Sequence, residues 1–251
     1  MSHHIVEIES LAYRYPDGTR ALSEISFRVT HGESVAVIGA NGAGKSTLLL
    51  HLNGYLTPQQ GQVRIGDFPL TRQNIPDIRK TVGMVFQDPD DQLFMPTVYD
   101  DVAFGPLNLG VPPEELDLHV LGALSRVGAL ELKDRPPHHL SGGEKRAVAI
   151  ATVLSMSPSI LVMDEPSSNL DPGARRRLIK LLQTFEHTRI IATHDLDMAL
   201  ELCERTIVLH RGRVRADGPT RDIFLDDALL HECRLEKPFC MQGCPVCGRQ
   251  G

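Results

Sequence analysis

The chain has 251 residues, 41% of them hydrophobic, and carries 32 acids against 26 lysines and arginines for a net charge of −6. That length buries roughly 70 to 75% of the unfolded surface, so neither a metal nor a disulfide is needed to hold a core. The acidic balance excludes the basic face expected of non-specific nucleic-acid binding, and the apolar runs fall short of the ~20 residues of a membrane span. Met1-Ser-His-His-Ile-Val-Glu7 lacks the basic and apolar regions of a secretory signal, so a cytosolic protein with no nucleic-acid partner is expected.

Short alternating segments open the chain, Ile5–Glu9 and Ile25–Val29, broken by Pro16-Asp-Gly18 and His31-Gly32. They predict an antiparallel β layer, with Tyr15 either stacking on a purine ring or covering a strand face. An apolar run, Ser34–Ile38, then leads into Gly39-Ala-Asn41-Gly42-Ala-Gly44-Lys45-Ser46-Thr47 and on to Leu48–Leu52. Strand, glycine loop and helix in that order are the context a phosphate-binding loop requires. Gly39, Gly42 and Gly44 leave the backbone free to curl so that its N–H groups and the helix start face an anion. Lys45 is predicted to reach the β- and γ-phosphates, and the Ser46 hydroxyl to hold Mg²⁺.

Thr57–Gly61 reads as a turn and Val63–Asp67 as a strand. The buried-strand run Val82–Phe86 delivers Gln87 to a carboxyl edge, in reach of Mg²⁺ or an attacking water. A helical insertion follows over about 88–157. Within it, Asp88–Pro106 is expected as an exposed docking loop, Pro112-Pro-Glu-Glu115 opens a helix, and Leu118, Leu121 and Leu124 follow at i+3 steps. Leu140-Ser141-Gly142-Gly143-Glu144 precedes a stripe of Ala147, Ile150, Ala151 and Leu154, so Ser141 and Glu144 form a capping box at a second glycine-lined anion site.

Ile160–Glu165 predicts a central strand closed by two carboxylates, Asp164 orienting Mg²⁺ through water and Glu165 polarising the attacking water. Asp171 caps a helix with Pro172 at its first position. The strand Arg189–Thr193 ends in His194, placed to touch a γ-phosphate, and Ile207–Gly218 closes as a hairpin. Cysteines are confined to Cys203 and to Cys233, Cys240, Cys244 and Cys247 near the end, where four thiolates suit a tetrahedral metal site but the outer spacings fit no standard zinc pattern.

Over about 1 to 225 these residues resemble the ATP-binding subunit of ABC transporters: the loop at 39–47, Gln87, the signature at 140–144, Asp164-Glu165, Ser168–Asp171 and His194 stand in the family's order. Gln87–Phe94 with Asp101–Leu109 is similar to the energy-coupling-factor branch, in particular subunits of cobalt and nickel importers. The signature departs by ending in Glu144 where Gln is commonest, and Asn169 stands where Ala is usual.

The resemblance implies an α/β fold, a P-loop NTPase core with an antiparallel β subdomain and a helical subdomain, over 1–229, followed by a cysteine-rich tail at 230–251. It implies an ATPase using ATP and Mg²⁺, attached peripherally to the cytoplasmic side of the cell membrane through transmembrane subunits. Two such subunits, identical or related, sandwich ATP between the loop of one, with Tyr15, Asn41 and Thr47, and Ser141–Glu144 and Asp171 of the other. Glu165, His194 and Gln87 then serve hydrolysis. A soluble ABC ATPase of translation or DNA repair, and the shared module of a vitamin importer, are the alternative readings.

Overall fold

The computed structural model describes residues 4–242. It opens with β1 (His4–Arg14) and β2 (Arg20–Thr30), which pair antiparallel with Glu7 opposite Arg28 and Leu11 opposite Ile25. Both strands run further than their alternation suggests, because register shifts such as the one between Ile8 and Leu11 break the period of two while pairing continues. Then come β3 (Ser34–Ile38), α1 (Lys45–Leu52), β4 (Gln60–Ile65), β5 (Phe68–Pro69), α2 (Ile75–Thr81) and β6 (Val82–Val85). Strands β2-β1-β4-β5 form one antiparallel sheet in that order, the predicted β layer.

The helical segment holds α3 (Val98–Asn108), α4 (Pro113–Arg126) and α5 (Gly142–Leu154). Its first half corrects the sequence reading, since the chain is a loop only to Thr97. The Thr97 hydroxyl accepts from the Asp100 N–H and starts α3, with Asp100 and Asp101 in the first turn. Pro106 lies inside that helix and leaves the Val102 carbonyl without its helical donor. Ser155 Oγ supplies the missing bond at 2.9 Å, a partner 53 residues away that no local pattern reveals. In α4 the buried face is Val120, Ala123 and Leu124, while Leu118 is 78% exposed, so the expected leucine stripe is half right.

Beyond the helices lie β7 (Ile160–Asp164), α6 (Pro172–Gln183), β8 (Thr188–Ala192), α7 (Leu196–Leu202), β9 (Arg205–His210), β10 (Arg213–Pro219), α8 (Thr220–Leu225) and α9 (Asp227–Glu232). The second sheet runs β10-β9-β3-β8-β7-β6, parallel throughout except for the closing β9–β10 hairpin. Its central strands bury both faces. Val35 and Val37 pack with the antiparallel sheet and α1, while Ala36 and Ile38 pack with the helices on the other side. Ile160 and Val162 divide from Leu161 and Met163 in the same way, which is why these runs are apolar without alternation.

Gly83 in β6 lets α5 approach the sheet: a Cβ there would stand 2.3 Å from Val153 Cγ1 and 2.8 Å from Pro158 Cγ. Gly83→Ala is expected to cost about 1 to 3 kcal/mol by overpacking, read as a lower urea midpoint at an unchanged slope.

The position taken as the start of the tail, residue 230, falls within α9. Cys233 is buried in the main core, and the Asp197 carboxylate accepts from the Phe239 and Cys240 N–H groups at 3.0 and 2.9 Å. The chain is therefore fastened to the body as far as 242. Among the described residues no helix is long and apolar enough to cross a membrane.

Candidate nucleotide-binding site

Strand order decides what meets here. β3, β8, β7 and β6 are consecutive parallel neighbours, so the segments leaving their carboxyl ends converge on one edge of the sheet. Those segments carry the glycine loop after β3, His194 after β8, Asp164 and Glu165 at the end of β7, and Gln87 after β6. Tyr15, Asn41, Gly42, Gly44, Lys45, Ser46, Thr47, Gln87, Glu165 and His194 line a single open cavity of about 530 Å³, a size ordinary for small-ligand sites.

Gly44 precedes the first residue of α1 at φ 105°, and a Cβ on it would meet the Ala21 carbonyl oxygen at 2.7 Å. Only glycine fits that turn. Lys45, 7% exposed, donates from Nζ to the Gly39 carbonyl at 2.8 Å and lies 3.5 Å from Glu165 Oε1. The ammonium is thus held over the loop with its charge met only in part. Tyr15 reaches the cavity from just beyond β1, its hydroxyl 3.0 Å from Thr47 Oγ1. That contact pins Tyr15 to the helix start, and Thr19, Arg20 and Ala21 enter the cavity beside it from the β layer.

Glu165 is held in an unusual place. Its φ of 46° lies in the left-handed region that a non-glycine residue enters at a cost of about 1 to 3 kcal/mol. Its N–H donates to the Ala192 carbonyl at 2.8 Å, and its own carbonyl accepts from the Ser168 N–H at 3.1 Å. Oε2 accepts from the His194 N–H at 3.0 Å and lies 2.8 Å from His194 Nδ1. The backbone and the ring of His194 therefore fix one oxygen of the carboxylate.

Asp164 is the group whose surroundings ask for a cation. Burial pushes its carboxyl above the usual range, against a hydrogen bond from the Ser46 hydroxyl and the nearby Lys45 and Arg146 charges. Its Oδ1 is buried with no hydrogen-bond partner. An unsatisfied carboxylate oxygen beside a serine hydroxyl, with Gln87 on the same cavity, is a donor set of hard oxygens suited to Mg²⁺.

Ser141, Gly142, Gly143, Glu144 and Asp171 are not brought to this cavity. Ser141 caps α5: its Oγ accepts from the Glu144 N–H, while Glu144 Oε2 accepts from the Ser141 N–H at 2.8 Å and its hydroxyl at 2.7 Å. The acid that replaces the commoner glutamine thus completes the reciprocal cap. These bonds hold the Glu144 carboxyl below the usual range, its stronger Ser141 hydroxyl bond first. Asp171 caps α6 through the Ala174 N–H at 3.0 Å, as its sequence context predicts. Asn169 sits at φ 61°, a conformation that asparagine tolerates better than alanine.

Sequence reasoning missed Arg146. Its guanidinium is buried and donates to the Phe86 carbonyl at 2.7 Å, the Gln87 carbonyl and the Ser168 hydroxyl, so it ties α5 to the loops that carry Gln87 and Asp171. The signal was a cation flanked by apolar residues at i+3 and i+4, Ala149 and Ile150. Also missed was Arg175, whose Nε and Nη2 grip Asp195 at 2.6 and 2.8 Å and steady the residue after His194. Of the four cysteines read as a metal set, Cys233 packs in the core with its thiol raised by burial, Cys240 is exposed, and Cys244 and Cys247 lie outside the described residues. Among the described residues no three His, Cys, Asp or Glu side chains are grouped to hold a metal.

A family model described as ABC transporter matches residues 22–168. The chain is 70% identical to GSU1281 of Geobacter sulfurreducens, which bears an ABC transporter ATP-binding protein name, over 99% of this chain and 100% of that protein. It is 46% identical to the energy-coupling factor transporter ATP-binding protein EcfA of Methanocaldococcus jannaschii, over 94% and 86%. Among solved structures, CbiO1 of Clostridium perfringens, described as part of the ABC transporter complex CbiONQ, superposes with a TM-score of 0.80 at 41% identity, over 92% of this chain and 94% of that one. A dimeric post-hydrolysis cassette, MJ0796 with ADP and Pi, gives 0.78 at 28% identity, over 86% and 99%.

Proposed function

The chain belongs to the ABC transporter family as an ATP-binding subunit and an ATPase, and from that premise we propose that it powers an energy-coupling-factor importer of cobalt or nickel ions, working as one of two paired ATPase subunits. The observation that carries the pairing is the separation of its two anion-binding helix starts. The loop at 39–47 has its own cavity, while the Ser141–Gly142 cap stands exposed and apart from it. A triphosphate seated on Lys45 meets such a cap only when a second subunit brings one. MJ0796, similar over 86% of this chain, is a dimer with ADP and Pi. The cobalt or nickel assignment draws support from the Gln87–Phe94 and Asp101–Leu109 segments and from the likeness to CbiO1.

In this reading the loop N–H groups and Lys45 hold the β- and γ-phosphates, and Tyr15 lies against the base. Bound at Ser46, Asp164 and Gln87, Mg²⁺ would neutralise charge on the phosphate oxygens. Glu165 takes the proton of the attacking water, and His194 holds the Glu165 carboxylate in line while its exposed ring faces the γ-phosphate. Lys45 lies 3.5 Å from Glu165, so an incoming phosphate competes for the ammonium and frees the carboxylate for water. Positioning and fixed charge supply most of the rate.

A second feature supports the membrane partner. Phe94 and Phe104 are 63% and 42% exposed, their rings 5.1 Å apart and edge to face, with the exposed Leu107 beside them on α3. Aromatics held outside a core in this way mark a docking surface, here for the transmembrane subunits and the peripheral attachment they give. Phe94→Ser with Phe104→Ser is expected to weaken co-purification with those subunits at least tenfold while ATP uptake by the isolated chain stays unchanged. The function itself is tested by co-expressing the chain with its neighbouring membrane subunits in vesicles. ATP-driven uptake of labelled Co²⁺ or Ni²⁺ is expected; uptake of a vitamin instead, or of nothing, removes the assignment.

A further inference from the structure

A second cavity, of about 490 Å³, opens between α4, α5 and α6, away from the nucleotide cavity. Its walls are apolar, built from Leu132, Ala147, Ile150, Leu178 and Leu181. Its rim is cationic: Arg126, Arg177 and Lys180 are exposed there. On α6, Arg175 and Arg176 are bound to Asp195 and Glu201, whereas among the described residues Arg177 and Lys180 of the same helix and Arg126 of α4 have no carboxylate at ion-pair distance. Glu144, the sole carboxylate on the lining, is already committed to Ser141. An apolar slot with a rim of unpaired cations fits an apolar body carrying one negative head.

We propose that this cavity is a regulatory binding site for a small amphiphilic anion, an aliphatic or aromatic carboxylate or sulfonate. Its apolar part lies between α5 and α6, and its head meets Arg177 and Lys180. The walls explain what such a ligand controls. Gly143 and Glu144 belong to the first turn of α5, behind Ser141, and Leu170 directly precedes Asp171. Arg146, also on the lining, turns its guanidinium to the Phe86 and Gln87 carbonyls. An occupant therefore fixes the spacing of α5 and α6, and with it the position of the Ser141–Gly142 cap relative to the Gln87 loop. Binding needs neither ATP nor a second subunit. The effect on turnover rests on the paired-subunit reading above.

Anilinonaphthalene sulfonate, titrated by fluorescence against the full chain, tests both parts. Saturable one-to-one binding is expected, displaced by decanoate at concentrations at least tenfold below those needed with decanol. Charge reversal at the rim, Arg177→Glu with Lys180→Glu, raises the dissociation constant about tenfold, and Ala147→Phe, which fills the slot, raises it further. Both variants are checked for an unchanged far-UV spectrum and unchanged ATP uptake by equilibrium dialysis. Decanoate changes ATP turnover of the wild type at least twofold and leaves Ala147→Phe untouched. No saturable binding, equal displacement by decanol, or wild-type binding by both variants overturns the proposal, the last because the dye would then sit elsewhere, as on Phe94 and Phe104. Unchanged turnover with decanoate bound, in a sample whose subunits pair on ATP in size-exclusion chromatography, overturns its regulatory role too. Should the two-subunit reading alone be wrong, the titration still succeeds and only the turnover effect is lost.

Discussion

Glu165→Gln lowers ATP turnover at least ~100-fold while ATP still binds, the scale of a lost general base. The substitution keeps the shape and keeps an oxygen to accept the His194 N–H, 3.0 Å away, so the loop after β7 holds its course. It removes the negative charge proposed to draw a proton from water, and that charge also lies 3.5 Å from Lys45. Freed of its internal partner, Lys45 meets the phosphates more fully, so ATP affinity is expected to hold or rise, and ATP-bound pairs of subunits accumulate. Single-turnover hydrolysis measured beside equilibrium ATP binding separates the two effects. Turnover near the wild-type rate would take Glu165 out of the role.

Lys45→Ala abolishes ATP uptake at working concentrations. Lys45 is buried and joined to the Gly39 carbonyl, so its loss strips the loop of its one fixed cation and leaves the Glu165 carboxylate, itself 7% exposed at the side chain, without that charge. Truncating one member of a buried hydrogen-bonded charge pair costs about 2 to 5 kcal/mol, which is roughly 30-fold to several thousand-fold in affinity. Equilibrium dialysis with labelled ATP reads the loss directly. A calorimetric melt on the same sample separates it from unfolding, because Glu165 keeps its contacts with His194. A variant that kept ATP affinity within threefold would mean the loop N–H groups alone carry the triphosphate.

Much of the fold and most of the site can be read from the chain without its structure, for reasons that differ by element. The runs 35–38, 160–163 and 190–192 are apolar because these strands are buried on both faces, and the polar residues that follow them mark the sheet edge. The caps at Ser141 and Asp171 are local chemistry, closed within three residues, so sequence alone locates them. Pro106 shows the opposite case. Its helix survives through a serine hydroxyl 53 residues away, and a pattern read along the chain has no access to that partner. Arg146 and Arg175 escaped notice for the same reason: each earns its role from groups on other elements.

By itself the sequence determined the chemistry, since a phosphate loop, a signature cap and an acid pair are spacings that local backbone geometry turns into anion and water sites. Only the tertiary structure decided which of these sites share a cavity. The order β3-β8-β7-β6 puts Lys45, His194, Glu165 and Gln87 at one edge and leaves Ser141–Gly142 outside it. Strand order is set by long-range packing against two cores, a property of the whole chain that no short stretch of residues contains.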